Sequence, residues 1–154
     1  MREILFRGKR LDNGEWIKGY YAEVDPLDIR SRKRKNIHVI LPVPTTCKWS
    51  NKYFYSVLEI LPETLGQYTG VKDANGTMIF EGDIIQVTHF TRTKKYLVNF
   101  SLDRGGWFPF ANGDGCGCCE EDTEAPSGDG IAFDAEVIGN IHDNPELLGE
   151  VIKE

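Results

Sequence analysis

Short apolar runs separated by turn residues recur along this 154-residue chain, and they constrain its fold more than any other feature. The runs are rich in Ile, Val, Tyr and Phe, whereas long stretches with the 3.6-residue period of an amphipathic helix are nearly absent. Strands of this composition, bounded by Gly, Pro, Asn and Asp, are typical of β proteins. We therefore predict a mainly β fold.

The most patterned stretch is YTGVKDANGTMIFEGDII, residues 68–85. Asp73-Ala74-Asn75-Gly76 predicts a turn, and its Asn75-Gly76 dipeptide is the strongest two-residue hairpin signal in the chain. Gly82-Asp83 predicts a sharp turn, because glycine tolerates positive φ and an aspartate carboxylate can accept a backbone N–H. The stretch therefore predicts a hairpin followed by a new strand, and backbone geometry explains it without any catalytic role.

Two further local patterns define the ends of the chain. Asn13-Gly14 tolerates positive φ, so we expect residues 3–8 to pair with residues 15–24 as a hairpin. Near the other end, Asn144 and Pro145 suit the N-cap and first position of a helix. We therefore predict one short C-terminal helix.

Charge is distributed unevenly along the chain, whose net charge is −6. Residues 1–104 hold 17 Lys and Arg against 12 Asp and Glu, whereas residues 105–152 hold 11 acidic residues and no Lys or Arg. Complementary charge within one molecule, or head-to-tail association, would each account for this asymmetry. The length suits one domain or two small ones, and we predict two lobes, residues 1–65 and 66–154.

The sequence also bears on where the protein acts. No apolar run approaches the ~20 residues that a membrane-spanning helix needs, and the start, MREILFRGKR, has no apolar signal-peptide core. We expect a cytoplasmic protein without a membrane partner. Its four cysteines would then be reduced rather than disulfide-bonded.

Residues 111–130, ANGDGCGCCEEDTEAPSGDG, are rich in Gly and acidic residues and contain no large apolar side chain. This composition predicts a long loop. Its cysteines are weak metal-ligand candidates, because structural zinc sites usually combine two separate C-x2–4-C elements; they are Cys116, Cys118 and Cys119. A fourth ligand would have to come from Cys47, His89, His142, Asp114 or a second subunit. We expect incidental cysteines, no metal and no cofactor.

A basic cluster lies in residues 25–36, which we expect to form an exposed loop. Its cations are Arg30, Arg32, Lys33, Arg34 and Lys35. Such a cluster can bind phosphates, with aromatic side chains stacking on bases. The aromatic candidates are Trp16, Tyr20, Tyr21, Trp49, Tyr53 and Tyr55, most of which we expect in the core. A solvated loop without a ligand is the alternative.

Catalytic patterns are missing from the sequence. It contains no P-loop, no G-x-S-x-G and no H-E-x-x-H, and its three histidines stand apart from one another. We therefore expect a protein that is not an enzyme, and we assign no catalytic or cofactor-binding residue.

Three segments carry a family resemblance: REILFRGK at the start, LPETLGQYTGVKDANGTMIFEGDII in the middle, and EVIGNIHDNPELL near the end. In this order they resemble the YopX family of phage and prophage proteins. The resemblance implies a mostly β protein with an SH3-like barrel in its second half, encoded by a bacteriophage or an integrated prophage. It implies no assigned catalytic residues.

The resulting hypothesis is a non-catalytic protein-interaction module, acting in the host cytoplasm on an unknown host or phage protein. The alternative is a nucleic-acid-binding small-barrel protein that uses residues 30–35. Small β lobes leave sheet edges that subunit contacts can cover, so we also expect a homo-oligomer.

Overall fold

The computed structural model describes residues 3–24, 37–42, 57–89, 92–102, 105–110 and 135–147. These residues form two antiparallel sheets and two short 3-10 helices, which confirms the mainly β prediction. The strands are β1 (Phe6–Lys9), β2 (Trp16–Val24), β3 (Ile37–Pro42), β4 (Leu58–Glu59), β5 (Gly66–Lys72), β6 (Met78–Phe80), β7 (Asp83–His89), β8 (Arg92–Ser101), β9 (Gly106–Phe110) and β10 (Ala135–Asn140).

The chain divides into two compact units, Met1–Gln67 and Tyr68–Glu154. The predicted division, after residue 65, lies two residues from this boundary. In the first unit the strands are ordered β4-β3-β2-β1, and the first two residues of β5 pair with β1. β1 and β2 form the hairpin predicted around Asn13-Gly14, with Gly14 at φ 73°.

The first unit has its core around β3. Val39 and Ile40 are both buried, and neighbouring residues of a strand point to opposite faces, so β3 is covered on both sides. Among the described residues of this unit, Leu5 and Ile60 are the other buried apolar side chains. The first 3-10 helix, Pro62–Thr64, is attached to β1 by the Thr64 hydroxyl, which accepts the Lys9 N–H at 2.8 Å.

The second unit contains a four-stranded sheet, ordered β10-β7-β8-β9, and the hairpin of β5 with β6. Its core is a cluster of buried side chains from β6, β7, β8 and the start of β10: Ile79, Ile85, Tyr96, Val98 and Ala135. Neither sheet closes on itself within the described ranges. The SH3-like barrel therefore stays a prediction.

The predicted turn at residues 73–76 is present between β5 and β6, and the Gly76 N–H donates to the Asp73 carbonyl at 3.0 Å. The Asp73 N–H donates to the Thr77 carbonyl at 2.8 Å, so three residues lie between this hydrogen-bonded pair. The Asp73 side chain also holds the turn, because its Oδ1 accepts the N–H groups of Asn75 at 2.9 Å and Thr77 at 2.7 Å. Gly76 closes the turn at φ 82°.

The same turn supplies hydrogen-bond partners to β10, which lies at the edge of its sheet. Asp73 Oδ2 accepts the Val137 N–H at 3.1 Å, and the Ala74 N–H donates to the Ala135 carbonyl at 3.0 Å. Burial raises the pKa of Asp73, but the hydrogen bonds from Val137, Thr77 and Asn75 outweigh it and hold the pKa below its usual value. The turn therefore covers part of an edge that would otherwise offer unpaired backbone groups.

The turn at Gly82-Asp83 follows the prediction. Gly82 has φ 78°, and Asp83 Oδ2 accepts the Phe80 N–H at 2.7 Å. Asp83 is almost completely buried. Both residues of the dipeptide therefore have a structural role.

A second 3-10 helix, Pro145–Leu147, begins where the terminal helix was predicted, and the Leu147 N–H donates to the Asn144 carbonyl at 3.0 Å. Its continuation as an α-helix would fall after residue 147, outside the described residues. Across the parts of the chain that are described, no helix has the length and apolar character that a membrane crossing requires.

Candidate nucleic-acid interface

One face of the β1–β2 hairpin carries three cations and two aromatic rings. Arg7 lies directly opposite Lys18, and Lys9 lies directly opposite Trp16. Directly opposed residues share a face of a sheet, and so do alternate residues of one strand. Tyr20, two residues beyond Lys18, therefore lies on this face as well. We call these five residues the cationic–aromatic face.

The Trp16 ring is in contact with two of the cations. Arg7 Cζ lies 4.8 Å from the ring centroid and Lys9 Nζ lies 5.4 Å from it. Each cation is attracted by the negative charge density of the ring face, an interaction of about 0.5–1 kcal/mol at exposed sites. These contacts hold both positive charges against the sheet surface.

Positive charge is concentrated on this face, because Arg7 and Lys18 lie directly opposite each other. The acidic residue within β2, Glu23, occupies an alternate position and so lies on the other face. Glu59 of β4 is on the same side as the cations, opposite Val39. An anion bound near Arg7 and Lys18 would interact with two positive charges at once.

The acidic residues in the β1–β2 turn have a different partner. Arg10 forms ion pairs with Asp12 and Glu15. The hydrogen bond from the Arg10 side chain lowers the pKa of Asp12. The turn therefore holds two carboxylates around the single cation of Arg10.

The opposite face of the hairpin is the packed one. The Tyr21 hydroxyl lies 2.7 Å from His38 Nδ1, and the Tyr21 ring packs on Phe6 with centroids 5.5 Å apart. Burial raises the pKa of Tyr21, and the nearby charge of Glu23 raises it further. Tyr21 is thus engaged within the protein, which leaves Trp16 and Tyr20 as the aromatic residues of β2 on the cationic side.

Gly19 fixes the position of its neighbours Lys18 and Tyr20. A Cβ atom at Gly19 would lie 1.9 Å from the Leu41 carbonyl oxygen, which is backbone and cannot rotate away. Only glycine allows β2 and β3 to approach this closely. The side chains of Lys18 and Tyr20 therefore extend from a strand that is closely paired with β3.

The site residues predicted from the sequence lie outside the described residues. They are Arg30, Arg32, Lys33, Arg34 and Lys35, and Cys116, Cys118 and Cys119. The basic cluster belongs to the connection between β2 and β3, whose flanking residues Val24 and Ile37 pair with each other. Within the described residues, no group of three or more His, Cys, Asp and Glu side chains is arranged to hold a metal ion.

Sequence reasoning named Trp16 and Tyr20 as candidate stacking residues but missed Arg7, Lys9 and Lys18. The signal was present in the alternation of the two segments: FRGK places its cations at every second position, and WIKGY alternates ring, cation and ring. Recognising the face required the register between β1 and β2, which brings Arg7 opposite Lys18.

The second unit exposes apolar side chains near the β8–β9 connection. Phe100 is 42% exposed and Leu102 is 88% exposed. Phe100 packs edge-on against Trp107, with ring centroids 5.0 Å apart. The Trp107 indole N–H is buried and has no hydrogen-bond partner among the described residues. These three residues form an apolar patch, which is a feature of many protein interaction sites.

Comparison with known proteins gives one family and one fold. The family model described as YopX protein matches residues 5–149. A solved structure, the crystal structure of protein EF1440 from Enterococcus faecalis, is 23% identical, with a TM-score of 0.51 over 96% of this chain and 99% of that one. At that identity the likeness concerns the fold alone. A comparison with curated proteins finds no match.

Proposed function

Because the chain belongs to the YopX family, we propose that it is a non-catalytic accessory protein of a bacteriophage or prophage that acts in the host cytoplasm by binding. Its first unit binds nucleic acid through the cationic–aromatic face. The observation that carries this proposal is the presence of three cations and two aromatic rings on one side of a rigid hairpin.

Charge elsewhere in the chain supports the same assignment. Residues 1–67 contain 12 Lys and Arg against 8 Asp and Glu, whereas residues 68–154 contain 6 against 16. Phosphates would therefore be attracted to the first unit and repelled by the second. The cluster at residues 30–35 adds five cations to the connection that leaves β2, so we include it in the proposed interface.

Binding of a fluorescently labelled oligonucleotide at low salt tests this function. Replacing Arg7 and Lys18 together by Gln removes two cations from the face, and we expect weaker binding, with a melting curve to verify that the variant folds. Lys72→Gln is the matched control, because Lys72 is an exposed cation of the second unit. An absence of binding by the unaltered protein at 50 mM salt would end the proposal.

A protein partner is the second candidate function, and the apolar patch of Phe100, Leu102 and Trp107 favours it. Leu102→Asp places a charge at the most exposed of the three side chains, which is 88% exposed, without disturbing a buried side chain. Capture of a host or phage protein by the unaltered chain but not by Leu102→Asp would support this function. Equal capture by both would exclude the patch as the interface.

The SH3-like barrel and the terminal α-helix are finer parts of the proposal. The contacts between the 73–77 turn and β10 support a barrel, because they connect the β5–β6 hairpin to one edge of the four-stranded sheet. Closure would also require β9, at the other edge, to pair with a strand besides β8. NMR contacts between backbone protons would detect that pairing, and helical chemical shifts after Leu147 would establish the helix.

A further inference from the structure

We propose that the ligand of the cationic–aromatic face is an unpaired nucleic-acid strand, DNA or RNA, with a base stacked on Tyr20. This inference rests on the binding function proposed above and adds the class of nucleic acid. It follows from the order of side chains along β2, from the exposure of Tyr20 and from the position of Arg7.

Side chains on this side of β2 alternate in the order ring, cation, ring. Trp16, Lys18 and Tyr20 occupy successive positions of one face, and such positions are about 6.8 Å apart along a strand. Arg7 lies beside Lys18 on the neighbouring strand. Lys18 thus stands between two aromatic rings along β2, and the Arg7 charge lies over the first of them. This alternation suits a strand that presents bases and phosphates in turn.

Tyr20 is the ring that is available for stacking. Its side chain is 54% exposed, and it lies opposite Leu41, a half-buried residue of β3. Trp16 is less exposed, and the cations of Arg7 and Lys9 pack on it. We therefore assign Trp16 to the positioning of the two cations and Tyr20 to contact with a base.

A duplex cannot make the same contact. Its bases are already stacked on each other, so a ring on a flat sheet meets only sugars and phosphates. Charge alone would favour the duplex, because counterion release per neutralised phosphate is greater for B-DNA than for a single strand. Tighter binding of the single strand than of the duplex would therefore be evidence for base stacking and could not be explained by charge alone.

The test compares three labelled 15-nucleotide ligands, oligo(dU), oligo(rU) and a mixed-sequence DNA duplex, at one salt concentration. We expect the single strands to bind more tightly than the duplex. Base stacking on an aromatic side chain is worth about 5- to 160-fold in affinity, so Tyr20→Leu should weaken single-strand binding within that range and change duplex binding less than twofold. Tyr20→Phe keeps the ring and should retain the affinity.

The two single strands carry the same base and differ only in the sugar, so tighter binding of oligo(dU) assigns DNA and tighter binding of oligo(rU) assigns RNA. Phe100→Leu is the matched control, because it removes an exposed ring from the second unit and should leave binding unchanged. Melting temperatures verify that all variants fold.

Two outcomes would overturn the inference, and they are distinguishable. If duplex and single strands bind equally and Tyr20→Leu affects neither, the face binds phosphates without stacking, and only this inference is wrong. If no ligand binds, the proposed function itself is wrong.

Discussion

The salt dependence of binding should reveal how many cations of the first unit contact phosphates. For a single strand, the logarithm of affinity falls with the logarithm of salt concentration by about 0.7 for each phosphate neutralised. The cationic–aromatic face contributes three cations, Arg7, Lys9 and Lys18. The connection between β2 and β3 contributes five more at residues 30–35. The two groups predict different slopes.

The magnitudes follow directly from these counts. The face alone gives a slope of about −2, so that raising salt fourfold, from 50 to 200 mM, weakens binding about 20-fold. The cluster at residues 30–35 alone gives a slope of about −3.5 and a loss of about 100-fold. Both together give a slope of about −5.6 and a loss of about 2,000-fold. We expect the last value, because we propose that both groups take part.

Fluorescence anisotropy of a labelled single strand, repeated at several salt concentrations, measures the slope. Lys18→Gln should reduce its magnitude by about 0.7, whereas Lys18→Arg keeps the charge and should leave it unchanged. Lys72→Gln removes an exposed cation from the second unit and should have no effect. An unaltered slope in the combined Arg7→Gln and Lys18→Gln variant would show that the face does not contact phosphates, and the reasoning from strand register would be refuted.

Three further predictions concern stability and assembly. Gly82→Val should lower the free energy of unfolding by more than ~1 kcal/mol, because φ is 78° and a Cβ atom would lie 3.3 Å from Ile141 Cδ1; an unchanged thermal melt would contradict this. Asp73 has a lowered pKa in the folded protein, so its contribution to stability is complete above its unfolded value near 3.8 and declines as the pH falls towards the folded value. In acid titrations of unfolding, Asp73→Asn should be less stable at neutral pH and lose less on acidification, and parallel curves for both proteins would argue against the assignment. Light scattering at high concentration should return a mass above 17.4 kDa if the protein is a homo-oligomer, and a monomer mass would remove that proposal.

Most of the strands could be predicted because local signals specify them. In Gly82-Asp83, the glycine predicts a positive φ and the aspartate predicts a carboxylate that accepts a backbone N–H. The structure contains both features. The turn at residues 73–76 was predicted as well, but the role of the Asp73 side chain was not. Its carboxylate accepts the N–H groups of Asn75 and Thr77, and the Asn-Gly pattern does not specify these contacts.

The candidate interface was only half predicted, for a related reason. The sequence of β2 by itself shows that Trp16, Lys18 and Tyr20 occupy alternate positions. Arg7 becomes relevant only when β1 is set against β2 in one register, and a shift of one residue would place it on the opposite face. No local sequence pattern specifies the register between β1 and β2, so the placement of Arg7 opposite Lys18 could not be derived from the sequence.

The hydrogen bond between Asp73 and Val137 has a consequence for the order of events during synthesis. The two residues are separated by 64 positions, and a ribosome adds about 5–20 residues per second. The Val137 N–H is therefore synthesised about 3–13 s after Asp73. Over that interval the carboxylate is held by the N–H groups of Asn75 and Thr77 alone, and these lie within four residues of it. The β5–β6 hairpin is therefore stabilised first by local contacts, which form quickly. The hydrogen bonds between its turn and β10 close a long loop and form later. Pausing translation between residues 80 and 137 would lengthen the lifetime of an open sheet edge, and a cell that produces this chain quickly would shorten it.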